Sequence, residues 1–125
     1  MITIASSSSF DETVERLRAA ISARGLSVFA EFDHAAAAAE VDLELGGELV
    51  VVFGNPRAGT PLMQDDPRIG IELPLKILVW ERDGVVNLGY GNPREWGARY
   101  EVGPHATALD AMSALLTALA AEVTA

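Results

Sequence analysis

The chain contains no cysteine, which excludes disulfides, thiolate-bound zinc, iron–sulfur clusters and thiol nucleophiles together. Cations are nearly as scarce. Lys76 is the single lysine, and 9 Lys+Arg stand against 18 Asp+Glu, a formal net charge of −9 over 125 residues. Nucleic-acid grooves displace phosphate counterions with clustered cations, and anionic membrane surfaces attract polybasic segments. Neither partner is expected here. Long apolar runs are also missing, since none approaches the ~20 residues of a membrane helix. The stretch Met1-Ile2-Thr3-Ile4-Ala5, followed by Ser6 to Ser9, lacks the basic and continuous apolar segments of a signal peptide. A soluble, cytoplasmic protein is the expectation.

What is present is a core-forming composition. Half of the residues are apolar and 22% are charged, which favours a packed globule over disorder. A single domain over residues 1–125 is expected, burying roughly two thirds of the unfolded chain's surface.

Local signals order the elements. Met1 to Ala5 reads as a short strand. Ser9-Phe10-Asp11-Glu12 has the pattern of a capping box, with Phe10, Val14, Leu17 and Ile21 on one helical face and Gly25 as terminator. From Leu26 to Phe32 the even positions are apolar, predicting a half-buried strand with Phe29 as an outward exception. Asp33 caps a short helix over Ala35 to Ala39. Val41, Leu43 and Leu45 alternate with polar residues, Gly47 turns the chain, and Leu49 to Phe53 is a buried strand by composition. The acids Glu40, Asp42, Glu44 and Glu48 then fall on a solvated strand edge.

Asn55-Pro56 and Asp66-Pro67 each pair an N-cap with proline at the first helical position, predicting two short helical turns whose amides face outward toward an anion. Asp83-Gly84 between apolar runs marks a hairpin. Asn92-Pro93 opens a turn containing Trp96, and a C-terminal helix carries the stripe Leu109, Met112, Leu116, Leu119 and Val123. Trp80 is expected in the core, and Trp96 either there or at an interface. The fold class is therefore α+β, a single antiparallel sheet with two main helices on one face, in the order strand, helix, four or more strands with short helical insertions, and a C-terminal helix.

Phe32-Asp33-His34-Ala35, Phe53-Gly54-Asn55-Pro56-Arg57-Ala58-Gly59-Thr60-Pro61-Leu62-Met63-Gln64, Leu73-Pro74-Leu75-Lys76 and Trp80-Glu81 resemble the bacterial and archaeal family named domain of unknown function 302. The likeness spans nearly the whole chain. It implies a β-α-β4-α fold similar to half of TATA-binding protein, and it implies no DNA binding, because that fold hosts many activities and the charge here is wrong. Relatives commonly carry Arg-His after the Asn-Pro turn, where this chain has Arg99-Tyr100, so a histidine role there does not carry over.

Three functional readings follow. In the first, a small molecule, anionic in one version, binds through Asn55, Arg57, Thr60, His34 and Arg99, using helix-terminal amides and the arginines as countercharge. In the second, His34 is a general base oriented by Asp33. In the third, the domain is a homodimeric interaction module with exposed aromatics at its surface. A homodimer also accompanies the first reading. With two histidines far apart, no metal site is expected. The sequence identifies no cofactor.

Overall fold

The computed structural model describes residues 1–125. The elements are β1 (Ile2–Ala5), α1 (Phe10–Ala23), β2 (Ser27–Asp33), α2 (His34–Glu40), β3 (Glu48–Gly54), α3 (Pro56–Asp65), β4 (Leu75–Arg82), β5 (Val85–Tyr90) and α4 (Ala106–Thr124). Short 3-10 helices fill Pro67–Ile71, Pro93–Ala98 and Gly103–His105. The strands form one antiparallel sheet in the order β1-β5-β4-β3-β2. This is the expected α+β architecture.

Period-two alternation sorts the sheet into two faces. Leu49, Val51 and Phe53 of β3, Leu75, Ile77 and Val79 of β4, and Val86 and Leu88 of β5 point into one core with Leu17 and Ile21 of α1 and Leu116, Leu119 and Val123 of α4. Both main helices therefore cover the same face. The register puts Phe32, Val50 and Leu78 in one row on the opposite, helix-free face, and Trp80 beside Glu48 and Asn87. Trp80 thus stands half-buried outside the helical core, against expectation, with its ring over Gly89. The helices cover one side of the pleat only, and apolar composition does not say which.

The N-cap residues accept as their spacing implies, though the Glu12 carboxylate returns no bond to the Ser9 amide and the capping box is only half formed. Ser9 Oγ accepts from the Glu12 amide at 3.2 Å, and Asp33 Oδ1 from the Ala36 amide at 2.8 Å. Asp83 and Gly84 take φ values of 53° and 77°, the left-handed pair of a two-residue hairpin turn. Trp96 is buried under α4, so it offers no interface.

Two expectations fail in the segment before β3. Val41 to Gly46 is not a strand: the chain turns at Asp42 (φ 59°) and leaves Val41, Leu43 and Leu45 exposed. Alternation without a partner strand makes no ladder. The acids Glu40, Asp42 and Glu44 accordingly belong to a helix end and a loop, and Glu48 opens the inner strand β3. The sheet edge is β2 instead, nearly all of it exposed, with a register shift between Val28 and Ala30 that breaks the even-position pattern at Phe29.

Helix α4, with the turn before it, is long and apolar enough to cross a membrane by length and composition. Here its stripe Leu109, Met112, Leu116, Leu119 and Val123 lies in the core against the sheet and α1.

Candidate functional site

Asn55 ends β3 and starts α3. Its side-chain oxygen accepts from the Arg57 amide at 2.9 Å, and its carbonyl accepts from the amides of Ala58 and Gly59. Pro56 has no N–H to give. Every amide of the first turn is therefore already used, and the outward-facing anion site expected at this terminus is not there. At the next Asx-Pro step the Asp66 carboxylate takes the Arg68 amide, and the Asp66 carbonyl takes that of Ile69. The helix over Asn55 to Gln64 is also longer than a single turn, because α3 continues through Pro61 to Asp65.

Between α3, α4 and the edge of the sheet lies a cleft of about 570 Å³, within the size range of small-molecule sites. One wall is Ala58, Gly59, Thr60 and Met63 of α3, and the facing wall is Ala108, Ala111, Met112 and Leu115 of α4. Leu26, Phe29, Leu73 and Pro74 close the sheet end. The room exists because both helices present small residues to it. A side chain added at Gly59 would meet Leu73 at 3.3 Å. Among the lining residues only Asn55 and Thr60 bear side-chain nitrogen or oxygen, and none is charged.

The sequence-derived site residues separate in space. Asn55 and Thr60 line the cleft; Arg57 is exposed beside it and does not. Arg99 lies in a different depression with Lys76, Glu72 and Glu95, where it faces carboxylates at 3.6 and 3.8 Å. His34 and Asp33 sit near Leu49, at the other end of β3 from Asn55, about 20 Å along the strand. His34 is exposed, and the Asp33 carboxylate is engaged in capping α2. Asp33 and His34 therefore form no dyad at the Asn55 loop. β2 and β3 are antiparallel neighbours, so the residues that follow each of them lie at opposite ends; reading Val41 to Leu45 as a strand between them hides this.

The Arg99 depression has its own electrostatics. Lys76 Nζ donates to the carbonyls of Glu72 and Pro74 at 3.0 and 2.9 Å, and burial pulls its pKa below the usual lysine value. Tyr100 donates to Glu72 Oε1 at 3.3 Å, and burial followed by the Glu72 charge holds its phenol up. Each cation there is answered by a carbonyl or carboxylate, so the cluster fastens the Glu72–Pro74 segment and leaves no surplus positive charge for an anion. His105 has a role that its sequence context did not signal: its Nε2 lies 2.7 Å from Asp65 Oδ2, joining the end of α3 to the start of α4.

Residues 2–121 match the family model described as Domain of unknown function DUF302. The chain belongs to the DUF302 family. A crystal structure of an uncharacterized conserved DUF302 protein from Bacillus stearothermophilus superposes with a TM-score of 0.87, covering 98% of this chain and 96% of that one at 20% identity. That likeness carries the fold alone. Two curated relatives, each named Fluoride-specific ion channel FluC 1, come from Brucella suis and Brucella abortus. Each is 39% identical over 104 residues, which is 82% of this chain but only 41% and 38% of those proteins. The DUF302 chain therefore spans about two fifths of the curated relatives it matches.

Proposed function

We propose that this DUF302 domain binds a small, predominantly apolar molecule in the α3–α4 cleft, with the Thr60 hydroxyl as its polar contact. The observation that carries the reading is a cleft of about 570 Å³ lined by no charged side chain. Apolar walls with few polar groups are the usual make-up of small-molecule sites, whereas an anionic ligand would lose its hydration here without gaining a cation. The test is a thermal-shift and calorimetric series with straight-chain alcohols and carboxylic acids of increasing length. Affinity should rise with chain length and favour the alcohol over the carboxylate. Ala111→Trp, at an exposed lining position, should abolish binding while leaving the melting temperature unchanged, and Arg57→Ala should leave binding unchanged. Binding that Ala111→Trp leaves intact, or that Arg57→Ala removes, overturns the proposal.

The channel activity in the relatives' names is not proposed for this chain. An ion path through a bilayer needs closed walls of spanning segments. This stretch folds as an open sheet with α4 in its core, so we assign transport in those relatives to the part of them that this chain does not match.

A further inference from the structure

The sheet ends at β2, and the outward edge of that strand is bare. Its ladder runs to β3 on one side. No backbone hydrogen bond outside the regular elements reaches Val28 to Phe32. Edge strands are ordinarily blunted by lysine, proline, a bulge or a covering element; the bulge at Phe29 leaves Ala30 to Asp33 as the regular stretch of this edge. Ser27–Asp33 has neither residue, and Val28, Phe29 and Phe32 are 39%, 48% and 55% exposed. Apolar exposure continues into the following loop at Val41, Leu43 and Leu45. That combination is the surface onto which another chain adds as a strand.

Charge selects the kind of chain. From Gly25 to Pro56 there is no lysine or arginine, while Glu31, Asp33, Glu40, Asp42, Glu44 and Glu48 all fall there. Only Glu31 is paired, held by Arg18 reaching over from α1. The other five make no ion pair. Arg82, across the loop beside Glu44 and Leu45, is the cation bordering this region on the helix-free side. A second copy docked β2 to β2 would bring two such acidic rims together, and like charges set against each other oppose pairing. An extended basic segment meets the opposite sign.

We propose that β2 accepts a basic, apolar-alternating segment of another protein as an added strand. Its apolar residues prolong the row of Phe32, Val50 and Leu78 on the helix-free face. Its lysines or arginines answer the carboxylates of the α2 end and the loop after it. This surface is separate from the α3–α4 cleft and does not depend on the ligand reading.

The probe is a peptide of about ten residues alternating valine and lysine, compared with its valine–glutamate counterpart and with a copy N-methylated along one edge. The lysine peptide should bind at least about tenfold tighter than the glutamate one, weaken as salt rises, and slow amide exchange within Val28–Phe32. N-methylation of the pairing edge should remove binding. Phe32→Ser and the double change Asp42→Asn/Glu44→Gln should each weaken binding severalfold, with circular dichroism and melting temperature checked to be those of the unaltered chain. The proposal is overturned if the glutamate peptide binds equally well or if protection appears away from β2. It is also overturned if sedimentation shows a dimer that Phe32→Ser dissolves, which would make a second copy the occupant.

Discussion

The Asp66 carboxylate accepts a hydrogen bond from the backbone N–H of Glu101 at 2.9 Å, joining residues 35 positions apart. The same carboxylate takes two bonds from the Arg68 guanidinium, at 3.0 and 2.8 Å. Asp66 is itself buried. One side chain thereby caps the turn after α3 and holds the segment leading into α4, the two elements that flank the cleft. The Arg68 hydrogen bonds, then the Glu101 amide, hold the Asp66 carboxyl well below the usual carboxylate range, against the opposing effect of burial.

That depression has a defined sign. The unfolded chain binds a proton at Asp66 near pH ~3.9, whereas the folded chain resists it, so stabilisation is complete above that pH and is lost as pH falls through the folded value. Glu31, lowered by its hydrogen bonds to Arg18, adds to the same acid limb. Asp66→Asn should lower stability at neutral pH and flatten the slope of stability against pH below about pH 4. Urea unfolding followed from neutral to acid pH checks this, and an unchanged slope would contradict it.

Glycine at position 46 answers a contact, not a turn. A Cβ there would sit 2.6 Å from the Glu81 carbonyl oxygen, and the neighbouring Gly47 carbonyl accepts the Glu81 amide at 2.8 Å. Gly46→Ala must push the loop off β4 and should cost about 1–3 kcal/mol, the usual penalty of overpacking. Gly91→Ala, where an added Cβ meets nothing within 4 Å, should stay within about 0.5 kcal/mol. The difference between the two urea midpoints is the measurement.

Helix α2 buries none of its residues, so its persistence rests on alanine propensity and the Asp33 cap. Asp33→Ala removes about 1 kcal/mol from that helix. Amide exchange in Ala37 to Glu40 should quicken while exchange in β3 and β4 stays as it was. His34→Ala should leave both unchanged, and a shift in cleft binding on His34→Ala would restore a role for this residue.

Signals confined to a few neighbouring residues were legible in the sequence. The caps at Ser9, Asp33, Asn55, Asp66 and Asn92 all accept the backbone amides that their spacing implies. The Asp83-Gly84 turn and the α1 and α4 stripes follow from equally local chemistry, and together they were enough for a strand, a helix, a run of strands and a C-terminal helix, but not for the number of strands in that run. What escaped depended on distant partners. Val41 to Leu45 has strand alternation but no strand beside it. Trp80 carries the same apolar character as Ile77 and Val79, and only the position of the helices separates them. Asn55 and Arg57 looked like ligand donors because cap chemistry and anion chemistry use the same groups. The residues that make the cleft, Ala108 and Ala111 opposite Ala58 and Gly59, are notable only for being small, which in sequence is indistinguishable from good helix formers.

The irregularity at Phe29 has an evolutionary consequence. Val28 pairs with Phe53 and Ala30 with Val52, so Phe29 is an extra residue without a partner in the ladder. Deleting it would bring the two halves of β2 into one continuous register, with no side chain forced to change faces. Phe29 is also part of the cleft wall. A one-codon loss or gain at this point can therefore open or narrow the cleft while the sheet stays intact, giving the family a route to reshape this surface without rebuilding its fold.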